Sequence, residues 1–164
     1  MVLERTEYLN KMIAFKDKQL IKIVTGVRRC GKSTLFTIYQ EWLRKQGVSD
    51  GQIITINFED MDYEALTDYK ALYAYLKRRC RKDSMTYVFL DEIQHVDHFP
   101  KVVDSLYIKD NVDIYITGSN AYMLSGEIAT MISGRYVQIE MLPLSFKEYM
   151  QSTGNMNDRG MKYT

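Results

Sequence analysis

Hydrophobic positions along the chain gather into five short apolar runs set between longer stretches of helical spacing. Ile21-Lys22-Ile23-Val24-Thr25 comes first, rich in the β-branched residues that favour extended backbone. Ile53–Phe58, Thr86–Leu90, Val112–Thr117 and Tyr136–Leu142 follow in the same style. Between them, the apolar positions recur at three- and four-residue intervals and predict helices over Leu35–Gln46, Tyr63–Arg81 and Pro100–Lys109. Residues 1–20 read as a short amphipathic helical segment with Leu3, Tyr8, Leu9, Met12 and Ile13 on its apolar side. Strands that alternate with helices imply an α/β, three-layer sandwich, a parallel sheet covered on both faces. In such a sheet, functional groups collect at the carboxyl ends of the strands. The core should span residues 21–150. Residues 151–164 are polar, contain Gly154 and Gly160 and lack periodicity, which predicts a linker or cut end leading to a further C-terminal region.

Chemistry enters directly after the first strand. Gly26-Val27-Arg28-Arg29-Cys30-Gly31-Lys32-Ser33 is a complete Gly-x-x-x-x-Gly-Lys-Ser/Thr phosphate-binding pattern, and Thr34 continues it into the next helix. Strand, glycine loop and helix in that order turn backbone N–H groups and a helix N-terminus towards an anion. Two glycines permit a tight loop that a Cβ would obstruct. Lys32 is placed to reach β- and γ-phosphates, and the Ser33 hydroxyl to ligate Mg²⁺.

The third apolar run ends in Asp91-Glu92. In this context Asp91 is the candidate Mg²⁺ ligand and Glu92 the group that polarises the attacking water, a pairing that favours hydrolysis over binding alone. The fourth run ends in Thr117-Gly118-Ser119-Asn120, where Ser119 or Asn120 either contacts the γ-phosphate or caps the following helix. Arg135, before the last strand, has three readings: an arginine for the phosphate end of its own subunit, the same for a neighbour, or a salt bridge at the sheet edge. Cys30 reads as a small tolerated loop residue, with a redox role as the lesser alternative. The basic run Lys77-Arg78-Arg79 with Arg81-Lys82 complements a helix C-terminus, or else touches nucleic acid. His95 and His98 are too few for a metal site and read as loop histidines.

Composition adds mostly exclusions. A net charge of +1 gives no global field for nucleic acid or anionic membrane. Two cysteines, Cys30 and Cys80, make no disulfide framework. No apolar stretch is long enough to span a bilayer and no secretory pattern opens the chain, so the expectation is a cytoplasmic protein with no membrane partner.

From Ile23 through Leu35, the chain closely resembles the AAA-like (AAA+ type) P-loop domain of a prokaryotic family of predicted ATP-binding proteins. Leu90-Asp91-Glu92-Ile93-Gln94, Thr117-Gly118-Ser119-Asn120, Gly134-Arg135 and Leu142-Pro143-Leu144-Ser145-Phe146-Lys147-Glu148-Tyr149 carry the same resemblance. It implies a five-stranded parallel sheet of order 5-1-4-3-2. It makes Lys32 and Ser33 Walker A residues, Asp91 and Glu92 Walker B residues, Asn120 the sensor and Arg135 the candidate phosphate-end arginine. The residues alone reach a Mg²⁺-dependent nucleotide hydrolase; the resemblance adds ATP as the nucleotide. It also implies a C-terminal region through which DNA or a protein partner would be engaged, and it leaves an oligomer open. The leading expectation is ATP hydrolysis that drives a conformational change. A nucleotide-gated binding module with little turnover is the alternative, and a small-molecule P-loop kinase is disfavoured by Glu92.

Overall fold

The computed structural model describes residues 6–27, 30–119, 130, 132 and 134–143. Strands β1 (Ile21–Thr25), β2 (Ile53–Asn57), β3 (Thr86–Asp91), β4 (Val112–Gly118) and β5 (Tyr136–Glu140) form one sheet in the order β2-β3-β4-β1-β5. All four pairings are parallel, and the order is the expected 5-1-4-3-2 read from the other edge. Strand β4 therefore lies between β1 and β3. The loop after β1 and the acids ending β3 face each other across one strand.

Helices α1 (Thr6–Ala14), α2 (Lys32–Lys45), α3 (Tyr69–Arg79) and α4 (Phe99–Tyr107) supply the outer layers. Strict alternation along β3 sends Tyr87 and Phe89 to one face and Val88 and Leu90 to the other, and both sets are buried. On the first face they meet Leu35, Phe36, Tyr39 and Leu43 of α2, with Tyr8 and Met12 of α1. On the second they meet Leu72 and Leu76 of α3, with Val102, Val103 and Leu106 of α4. Phe89 stacks on Tyr115, and Phe36 and Tyr39 meet Phe89 edge-on, so one aromatic block joins α2 to the two central strands.

A polar knot lies in this otherwise apolar interior. Lys22, fully buried on β1, is ion-paired with Asp113 on β4 and also donates to Lys18 O at 2.6 Å. The other Asp113 oxygen accepts from Tyr115 Oη (2.6 Å) and from the Asp17 backbone N–H (3.0 Å). Tyr39 and Tyr115 share a hydroxyl bond of 2.8 Å, and Tyr87 donates to Asp17 at 2.7 Å. Burial lowers the Lys22 ammonium and raises the Asp113 carboxyl, each opposed by the attraction of the other. Burial also pushes the hydroxyls of Tyr39, Tyr87 and Tyr115 up, which keeps them protonated at neutral pH. The knot ties the turn after α1 to the amino ends of β1, β3 and β4.

Two of the differences between expected and observed element boundaries have a clear hydrogen-bonded cause. The helix predicted over Tyr63–Arg81 is broken into a 3-10 helix, Met61–Thr67, and α3. Asp68 causes the break, because its carboxylate accepts from Ala71 N–H at 3.1 Å and caps a new helix. Strand β5 stops at Glu140 rather than Leu142: Met141 N–H makes the last bond to β1, at Thr25 O (2.7 Å), and Leu142 N–H turns away to Tyr8 Oη (3.0 Å).

Candidate nucleotide-binding site

Close packing at the mouth of the sheet demands the first loop glycine. A Cβ on Gly26 would lie 2.5 Å from Cys30 Sγ and 2.8 Å from Met141 O. Gly31 has φ +103°, a backbone region that side-chain-bearing residues rarely adopt. Cys30 is buried against Gly26 and serves as loop packing, which fits the simpler of its two readings. Gln138 on β5 donates to Thr25 Oγ1 at 2.9 Å and secures the strand end from which the loop springs.

Helix α2 begins at Lys32 with no side-chain cap and no acidic residue in its first turn. Its leading N–H groups and positive dipole end are thus left for an anion. Lys32 is buried at 5% exposure, and its Nζ donates to Gly26 O at 2.7 Å and Val27 O at 3.2 Å. The ammonium is held over the loop by carbonyls that phosphate oxygens can replace. Ser33 and Thr34 are exposed on the same turn.

Asp91 is 5% exposed at the end of β3 and is the centre of the arrangement. One carboxylate oxygen accepts from Ser33 Oγ on α2, and the other accepts from Thr117 Oγ1 on β4. The Thr117 hydroxyl also accepts from the Glu92 backbone N–H at 2.8 Å. Glu92 itself has φ +58° and ψ +50°, left-handed backbone that is costly for a residue with a Cβ and common at functional sites. Its carboxylate accepts from Gln94 Nε2 at 2.6 Å. Thr117 and Gln94 join the candidate site by these bonds, although the motifs that contain them gave neither a role. Thr117 was hidden as an ordinary β-branched strand residue; its signal is a hydroxyl just before the glycine that ends a central strand. Gln94 carried only the weak signal of an amide two positions after the acids.

The fold thus brings together Gly26, Val27, Cys30, Gly31, Lys32, Ser33, Thr34, Asp91 and Glu92. Arg28, Arg29 and Asn120 lie outside the described residues. Arg135 is not brought to the loop of its own chain. Its carbonyl accepts from Ile21 N–H at the start of β1, whereas the loop leaves the far end of that strand, about 13 Å away at strand rise. Its guanidinium pairs with Asp104 on α4 and lies 5.9 Å from the Tyr107 ring centre. The same-subunit reading of Arg135 is therefore replaced by the salt bridge.

Ser33 and Asp91 fit a hard cation, because they present adjacent oxygen donors next to an anion-binding helix end. Among the described residues no three His, Cys, Asp or Glu side chains form a metal cluster. Two oxygen donors would leave the rest of a bound cation's shell to phosphate oxygens and water, as Mg²⁺ sites commonly do. His95 closes the 3-10 turn that follows Glu92, and His98 sits before α4 and meets Tyr69 edge-on. Within the basic run, Arg79 stacks on Tyr75 at 3.6 Å, while Lys77 and Arg78 are exposed on the last turn of α3. No helix among the described residues is long and apolar enough to cross a membrane.

A family model described as an AAA domain matches residues 18–150. A Haemophilus influenzae protein described as uncharacterised is 41% identical over 152 residues, covering 92% of this chain and 38% of that protein. A Methanocaldococcus jannaschii protein, likewise uncharacterised, is 36% identical over 154 residues, covering 92% of this chain and 33% of that one. The chain spans about a third of the length of these curated relatives, at 38% and 33%. Among solved structures, closed-state Hsp104 aligns with a TM-score of 0.66 at 15% identity, over 94% of this chain and 29% of that one. A DNA replication initiation factor aligns with a TM-score of 0.60 at 15% identity, over 96% of this chain and 53% of that one. These two likenesses establish the fold.

Proposed function

The chain belongs to the AAA domain family, and from that membership we propose that it binds ATP with Mg²⁺ and hydrolyses it. Hydrolysis would drive a conformational change passed to a C-terminal region of a longer protein, through which DNA or a protein partner is engaged. The observation that carries the reading is Asp91, hydrogen-bonded at once to Ser33 of the loop helix and Thr117 of the intervening strand, with Glu92 beside it.

In this reading the loop N–H groups and the start of α2 bind the phosphates. Lys32 exchanges Gly26 O and Val27 O for β- and γ-phosphate oxygens. Ser33 and Asp91 would hold Mg²⁺, which when bound offsets charge on the phosphates. Glu92 takes the proton of the attacking water, and Asn120 reads the γ-phosphate. Arg28 and Arg29 add positive charge to the loop.

Phosphate release and ATP titration test the assignment. Lys32→Ala should fail to bind ATP, and Glu92→Gln should bind ATP yet turn over about 10²–10⁴-fold more slowly, the usual worth of a general base. Wild-type ATP affinity in Lys32→Ala would sink it.

The position of Arg135 favours a second reading. With that guanidinium on Asp104 and away from its own loop, Arg135 does not serve as the catalytic arginine of its own subunit. Such a subunit acts as a nucleotide-gated switch with slow turnover until a neighbour supplies one, a contribution of about 10³–10⁵ in rate where it operates. Phosphate release per subunit that rises with protein concentration supports shared sites in an oligomer. A flat, slow rate with and without DNA supports the switch.

A further inference from the structure

Gln94 lies in the 3-10 turn Ile93–His95 immediately after Glu92. Its Nε2 donates to Glu92 Oε2 at 2.6 Å, while its own Oε1 is buried and accepts no hydrogen bond from the described residues. Turning the amide over does not help. It would set an acceptor oxygen against a carboxylate, where only the NH₂ group can donate. The carboxylate thus dictates the amide's orientation, and the unpaired acceptor follows from it. Buried polar groups are nearly always hydrogen-bonded, so an orphan acceptor beside a candidate base asks for a donor. Water is the one small donor that can serve both side chains, since one hydrogen can go to each.

Resting on the reading of Glu92 as the base, we propose that Gln94 is a second catalytic residue of the hydrolysis, which holds the attacking water together with Glu92. Its N–H fixes the carboxylate, and its Oε1 accepts one water hydrogen while Glu92 accepts the other. The water oxygen then bonds to the γ-phosphorus as the bond to the bridging oxygen breaks and ADP departs. The proton passes to Glu92; Gln94 keeps both of its hydrogens, because an amide oxygen is too weak a base to take one. The backbone of Glu92 is left-handed with its N–H held by Thr117, and its carboxylate is held by Gln94 from the following turn.

Two measurements decide it. A crystal structure of the wild-type chain should place an ordered water within about 3.2 Å of both Gln94 Oε1 and the Glu92 carboxylate. A protein donor on that oxygen, or no water there, overturns the proposal. Steady-state ATP hydrolysis with Gln94→Leu should show kcat about 10²-fold lower, with KM for ATP within about twofold of wild type. Gln94→Glu, which keeps an acceptor but sets a second carboxylate against Glu92, should be as slow. Melting temperatures separate this from a packing role, which would lower stability and leave the split between kcat and KM unmoved. Wild-type turnover in Gln94→Leu alongside loss of turnover in Glu92→Gln overturns the role of Gln94 alone. Wild-type turnover in Glu92→Gln overturns the base assignment beneath it.

Discussion

Replacing Thr117 with valine tests the joint between the two acids. Valine has nearly the same shape, and the site is fully buried at 0% exposure, so no cavity opens and only the hydroxyl is lost. That hydroxyl donates to Asp91 and accepts from Glu92 N–H at 2.8 Å. A hydrogen bond to a charged group contributes about 1.5–3 kcal/mol, and an orphaned buried N–H costs about 1–3 kcal/mol. Asp91 keeps its bond from Ser33, which places the expected loss near the lower half of the sum, about 3 kcal/mol. With a urea slope of about 2 kcal/mol per molar, the unfolding midpoint should fall by about 1.5 M. Thr117→Ser keeps both bonds and loses only a methyl group, so it should cost about 1 kcal/mol. ATP turnover should fall in the valine variant more than ATP affinity, because the Glu92 backbone is released while the loop is untouched. A Thr117→Val protein within about 0.5 kcal/mol of wild type would refute the reasoning, since that is the scatter of substitutions touching nothing.

Asp113→Asn leaves the Lys22 ammonium buried without its counter-ion and should cost about 3–5 kcal/mol by urea denaturation, whereas Lys22→Met with Asp113→Leu should recover most of that loss. Equal destabilisation in both proteins would mean that packing, not charge, governs the site. Gly26→Ala drives a Cβ into Cys30 Sγ and Met141 O, so ATP affinity measured by titration should drop at least about tenfold; unchanged affinity would mean the loop yields freely. Burial alone would raise the Asp17 carboxyl, but hydrogen bonds from Lys16 and Tyr87 hold it below its ordinary 3.8. A lowered pKa stabilises the fold above the ordinary value and loses that contribution as pH falls through the folded one. The stability gap between wild type and Asp17→Asn, read by denaturation, should therefore be widest near neutral pH and close below 3.8; a gap constant across that range contradicts the linkage.

Much of the fold was legible because its signals are local. Each strand announced itself as a β-branched run, and each turn of chain direction as a polar or glycine-bearing break. Asp68 shows the limit of that reading. An N-capping carboxylate inside a continuous helical pattern breaks the helix, and periodicity alone weighs too little against it. Arg135 shows another: its neighbourhood in sequence is the start of β5, but which end of the sheet that start occupies follows from parallel register with β1. Lys22 and Asp113 were invisible as a pair, since their 91-residue separation closes only when β1 and β4 lie side by side.

By itself, the sequence determined the phosphate loop, the acids Asp91 and Glu92, and an alternating α/β order, because glycine placement, residue chemistry and hydrophobic period are properties of neighbouring residues. Tertiary structure decided which groups meet. It set β4 between the loop strand and the acid strand, and so made Thr117 the hydroxyl that joins Asp91 to Glu92. It put Arg135 at the sheet's other end and gave it to Asp104. Strand order and register are long-range pairings chosen by the burial of whole faces, and no short motif records them.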